Sequence, residues 1–91
     1  KAIQVAFREA SDALSLRKTL TTQRGAEESL VSALGETYRL SDARYKAGID
    51  GYLGVLVAQR ELFRAQQALV GVRLAEQQNL VNLYKVLGGG V

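Results

Sequence analysis

Five residue types are missing from these 91 residues: cysteine, histidine, methionine, tryptophan and proline. Without cysteine or histidine the usual zinc, haem and thiol chemistries are excluded, and no disulfide framework can form. The missing cysteine does not decide a redox compartment; it means only that none is needed. With no methionine, Lys1 is not a natural start, so the chain is expected to be a piece of a longer one. No apolar run reaches membrane-spanning length and no signal peptide is visible, so any targeting segment would lie upstream. The net charge of +3 is spread over 12 basic and 9 acidic residues, too mild and too mixed to point to nucleic acid.

Catalytic constellations are missing as well. Glu27 with Glu28, and Asp42 with Asp50, have no companion nucleophile or ligand set, and surface charge or capping explains them better. The glycine-rich tail lacks the Lys-Ser/Thr of a phosphate loop and follows a helix instead of preceding one. The second half lacks the Lys and Arg excess of a membrane-surface helix. No enzyme, cofactor or metal site is expected. What remains is a helical interaction or structural element.

One corner organises what is present. Arg44 and Lys46 sit where cations favour the last turn of a helix. Gly48 follows as the left-handed residue just past the helix end, and Ile49 can supply the apolar contact of a Schellman-type ending. Asp50 precedes a new apolar-periodic run, where its carboxylate can accept from the free N–H groups of a first turn. A stop and a start this close predict a tight αα-hairpin. The expected class is therefore all-α, a long antiparallel helical hairpin of coiled-coil type spanning 1–91. One helix is expected over about 2–47, a tip turn over about 48–50, a second helix over about 51–87 and a glycine-rich end over 88–91.

In the first helix, Ile3, Phe7, Ala10 and Leu14 recur at the 4-3-4 spacing of a coiled-coil seam, and Leu16 and Leu20 begin a neighbouring row. The stretch from Arg17 to Ser29 is polar and includes Gly25, which costs roughly 1 kcal/mol against alanine. It is expected to be a solvated middle segment, with a local bend as the alternative. Val31, Leu34, Tyr38 and Tyr45 restore an apolar face, beside which Gly35 could admit a neighbouring helix.

The second helix is more informative. Val55, Ala58, Leu62, Ala65, Leu69 and Val72 alternate strictly by three and four, forming a packing seam. Leu56, Phe63, Val70, Leu74, Val81 and Tyr84 form a second row, read as about 100° further round. Arg60, Arg64, Gln67, Gly71, Gln78, Asn82 and Lys85 form a polar line. Two apolar rows let one helix pack on two sides, as in a bundle or the wall of a helical barrel; a wide stripe facing one globular core fits the periodicity equally. Helices of about 45 and 37 residues reach roughly 68 and 55 Å, too long for a compact domain of this size, so other helices are needed.

The residues also carry a resemblance. Ala2-Ile3-Gln4-Val5-Ala6-Phe7-Arg8-Glu9-Ala10, Ala43-Arg44-Tyr45-Lys46-Ala47-Gly48-Ile49-Asp50, Tyr52-Leu53, Ala65-Gln66-Gln67-Ala68-Leu69 and Asn82-Leu83-Tyr84-Lys85-Val86-Leu87-Gly88-Gly89-Gly90 follow in order. Together they resemble the last long helices of the outer-membrane efflux proteins of the TolC/OprM type, closer to the OprM branch, over nearly the whole chain. The resemblance implies a homo-trimeric exit duct of a Gram-negative bacterium, with a β-barrel in the cell outer membrane and a periplasmic α-helical barrel. This segment would lie in the periplasm as part of a tripartite multidrug-type efflux pump. Its tip (Arg44, Tyr45, Lys46, Gly48, Ile49 and Asp50) would meet a periplasmic adaptor, which links it to an inner-membrane pump. At the constriction, Val57 holds the position where the family often carries an aspartate, and Gly54 the one where TolC itself has a second acid. The resemblance then leaves three readings: an apolar constriction, charge from another helix, or a different gating. An isolated fragment would self-associate. The alternative is a stand-alone helical-hairpin or coiled-coil interaction module.

Overall fold

The computed structural model describes residues 2–88. It contains two α-helices, α1 (Ala2–Lys46) and α2 (Tyr52–Gly88), and no strand among the described residues. The fold is all-α, an antiparallel helical hairpin. Of the expected glycine-rich end, Gly88 closes α2, while Gly89, Gly90 and Val91 lie outside the described residues.

The polar middle of α1 does not break. The helix runs through Gly25 without interruption, and threonine hydroxyls along it bond to their own backbone. Thr19 and Thr22 donate to the carbonyls of Ser15 and Lys18 at 3.2 and 3.1 Å, and Thr37 does the same to Ala33 at 3.1 Å. Nor is the segment wholly solvated: Leu20 is buried, and Arg24, Glu27 and Glu28 are partly covered.

The chain divides into two compact units, Gly25–Val70, and Lys1–Arg24 with Gly71–Val91. In the first of these, α2 buries Val55, Ala58, Ala65 and Leu69 and half-buries Leu62. From α1, Val31, Leu34, Tyr38 and Ser41 are half-buried. Both sets step by alternate threes and fours, which keeps one face of each helix in contact.

In the second unit, α2 buries Val72, Asn79 and Leu83 and half-buries Glu76 and Val86, again at three-four spacing. From α1 come Ala10, Ala13, Leu20 and Arg24. Contacts between Ala13 and Asn79 and between Arg24 and Glu76 run in opposite order along the two helices, so the pairing is antiparallel. Here the expected start of the α1 seam is corrected. Ile3 and Phe7 are 85% and 76% exposed and Leu14 is exposed too, whereas Ala13 is 4% exposed. Leu14 follows Ala13 by one position and is turned about 100° away. Phase, and not side-chain size, selects the buried residue.

Gly35 was a candidate for close helix approach, but a Cβ built there meets nothing within 4 Å. The partner helix of this chain does not use the space.

The seam predicts a contrast in stability. Leu69→Ala should cost about 2 kcal/mol, near the low end for a buried leucine because a thin hairpin can collapse around the gap. Gln67→Ala, on the exposed polar line, should cost less than about 0.5 kcal/mol. Urea denaturation followed by circular dichroism measures both, and equal losses would remove the seam as the main contact.

Candidate functional site at the helical turn

At its C-terminus α1 leaves its last carbonyls without helical partners. The turn satisfies them in Schellman fashion. The Gly48 N–H donates to the Tyr45 carbonyl at 3.0 Å, and the Ile49 N–H reaches back to the Arg44 carbonyl at 2.9 Å. Gly48 has φ of 75°, the left-handed conformation that this closure requires and that a Cβ disfavours. The apolar contact expected of Ile49 is weak, since its side chain remains 61% exposed.

Arg44 acts twice in this turn. Its carbonyl accepts from Ile49 and, at 3.4 Å, from the Asp50 N–H. Its guanidinium holds the Asp50 carboxylate through Nε to Oδ2, with a longer Nη2 to Oδ1 bond of 3.4 Å. This corrects the capping role expected for Asp50. Because α2 begins at Tyr52, Gly51 occupies the capping position and Asp50 lies one residue outside it. A two-point charged partner is the stronger claim on a carboxylate. The hydrogen bond from Arg44, aided by its charge, lowers the Asp50 pKa below the usual carboxylate range, and the same contacts raise that of Arg44. Lys46 pairs with Asp42 one turn back at 2.9 Å, which raises the lysine pKa.

Across the turn the rings of Tyr45 and Tyr52 lie 4.9 Å apart between centroids, tilted by 58°. Pairs in this tilted range contribute up to about 1 kcal/mol beyond their buried area. The sequence offered a signal for this pair, two tyrosines on either side of a tight turn, but the periodicity placed only Tyr45. Around the rings, Ile49, Leu53, Leu56 and Val57 are exposed, Leu53 at 73%. Gly54 stands on the same two turns with open space around it. The result is an apolar, partly aromatic tip with a charged clasp on its turn, a surface suited to recognition. Among the described residues no group of three or more His, Cys, Asp or Glu could hold a metal ion.

Two measurements follow for the turn. Gly48→Val should destabilise the hairpin by about 1–2 kcal/mol through backbone strain alone, because open space surrounds a Cβ there. Unchanged thermal stability would refute the left-handed closure. The Asp50 clasp is complete above the ordinary aspartate range near about 4 and is lost as pH falls through its lowered folded value. Carboxylate NMR titration should therefore show Asp50 titrating below a reference aspartate, and Arg44→Ala should abolish the difference.

A family model described as outer membrane efflux protein matches residues 1–89. The probable efflux pump outer membrane protein TtgC of Pseudomonas putida is 54% identical over 90 residues, 99% of this chain. The solvent efflux pump outer membrane protein SrpC of the same species is 47% identical over 90 residues, again 99% of the chain. The cation efflux system protein CusC of Escherichia coli is 42% identical over 88 residues, 97% of the chain. In each case the chain spans 19% of the relative's length. With a family model matched along almost its whole length, the chain belongs to the outer membrane efflux protein family.

Proposed function

We propose that this chain is the helical-hairpin part of a passive export duct of the outer membrane, a homo-trimer whose α-helical barrel crosses the periplasm. One observation carries the barrel-wall reading. After α2 has buried its seam, a second apolar row stays uncovered: Phe63 is 58% exposed, Val70 64% and Tyr84 79%. Leu56, Leu74 and Val81 complete it. A helix that has already spent one face on its hairpin partner needs a further helical neighbour to cover a second. No described helix is long and apolar enough to cross a membrane, which suits a segment placed beside the bilayer. The relatives named above are described as efflux proteins, in keeping with a role as conduit.

Within this reading the turn is the working end. Arg44, Tyr45, Lys46, Gly48, Ile49 and Asp50 present the surface for a periplasmic adaptor, through which an inner-membrane pump supplies the energy. Gly54 and Val57 stand at the constriction. Neither residue carries a charge, so this helix brings no carboxylate to the passage at those two positions.

The test is a pair of substitutions in the full-length protein. Phe63→Asp and Val70→Asp should leave the helical content unchanged and abolish trimer formation in light scattering, because each puts a charge into the wall contact. Intact trimers would sink the barrel-wall reading. A photo-reactive residue at Leu53 should cross-link to the adaptor, and one at Gln67 should not; the reverse pattern would move the docking surface away from the turn.

A further inference from the structure

The seam of the unit formed by Lys1–Arg24 and Gly71–Val91 carries an uncharged polar residue at its centre. Asn79 is 4% exposed, and its Nδ2 donates to the backbone carbonyl of Ala13 on the opposite helix at 3.0 Å. Its Oδ1 is equally enclosed and has no partner among the described residues. An enclosed acceptor without a partner opposes folding, and an apolar residue at the same place would carry no such cost. The bond is selective. The Ala13 carbonyl already belongs to α1 and is reachable because alanine leaves its backbone uncovered. On the same stretch of α1 the covered apolar residues, among those described, are Ala10, Ala13 and Leu20, and two alanines give little shape by which to choose a register. Three residues before Asn79, Glu76 Oε1 pairs with Arg24 Nε at 2.8 Å. A slip by three or four residues would move both polar contacts off their partners.

We propose that Asn79 is a register-determining residue, which fixes how α2 is set against α1 in this unit by seeking the Ala13 carbonyl. A single buried asparagine in a seam whose other buried residues are apolar gives up stability and excludes alternative registers, whose burial would leave its amide unpaired. Hydrophobicity alone does not reveal the position, but the three-four count does: carried on past Val72, it reaches Glu76, Asn79, Leu83 and Val86. This inference stands on the helix pair itself and is independent of the duct.

The experiment uses the full-length protein in a cysteine-free background, with spin labels at the exposed positions Ser15 and Gln78 and the labelled chains diluted in an excess of unlabelled ones, so that the distance read lies within one chain. The parent protein should give one narrow inter-label distance. Asn79→Leu should keep or raise the melting temperature while broadening the distribution or adding a second distance, displaced by roughly 5 Å for a slip of one seam step. A single narrow distance at the parent value in a folded Asn79→Leu protein overturns the proposal. Asn79→Ala, which removes the bond with less change in packing, decides the matter if the leucine variant fails to fold: broadening supports the register role, and a narrow parent-like distance refutes it. Loss of folding in both variants also overturns it, because Asn79 would then serve stability and not choice of register.

Discussion

The rest of the hairpin depends on the alternation of three and four residues along the contact of α1 with α2. That spacing keeps one narrow face of each helix turned towards the other, and it sorts every remaining residue by phase. On α2 the sorting gives Val55, Ala58, Ala65 and Leu69 to the seam and leaves Arg60, Arg64 and Gln67 in solvent. It also separates the second apolar row into two parts. Leu56, Phe63, Val70 and Tyr84 follow a seam residue by one position, about 100° around the axis, while Leu74 and Val81 follow by two, about 200°. The row therefore covers the flank and back of α2, a wider surface than its even spacing suggests.

The turn repeats the principle at a smaller scale, since satisfying the backbone decides where side chains go. Gly48 at φ of 75° lets the chain reverse, and the Arg44 carbonyl takes the N–H groups that would otherwise be orphaned. Once Asp50 is drawn back to the Arg44 guanidinium, α2 starts at Tyr52. That start places Tyr52 against Tyr45 and leaves Leu53 and Ile49 outward. The clasp is exposed, so its share of stability is small; its effect is on geometry.

How much was legible in the sequence follows from which signals were redundant. The α2 seam repeats over many turns with large and small residues in alternation, so phase could be read directly. In α1 the expected row of Ile3, Phe7, Ala10 and Leu14 included half-buried Ala10, but its larger members drew attention from Ala13, which is buried. Size misleads where the true seam is built from alanine. The turn was legible at Gly48, where only one residue type suits the backbone. It was misread at Asp50, because a carboxylate next to a helix start has two claims on it and charge at the other side of the turn decides. Asn79 was invisible to a search for apolar residues, yet its position was implied by the spacing.

The two helices are unequal, and the inequality bears on assembly. On α1 the exposed large apolar side chains fall towards the two ends, Ile3, Val5, Phe7, Leu14 and Leu16 and then Leu30 and Leu40, whereas on α2 they continue through the middle with Phe63, Val70, Leu74 and Val81. Full burial of such a side chain is worth about 1.5–3 kcal/mol, and each here is already partly covered, so roughly half of that remains to be gained. The row is spread along α2 from Leu56 to Tyr84, whereas Ile49, Leu53 and Val57 are gathered with the tyrosine pair at the turn. In the proposed duct the row would be covered by lateral neighbours and the turn by a partner at the end. Apart from Leu56 the two contacts would draw on separate side chains, so the end could engage and release a partner without uncovering the wall.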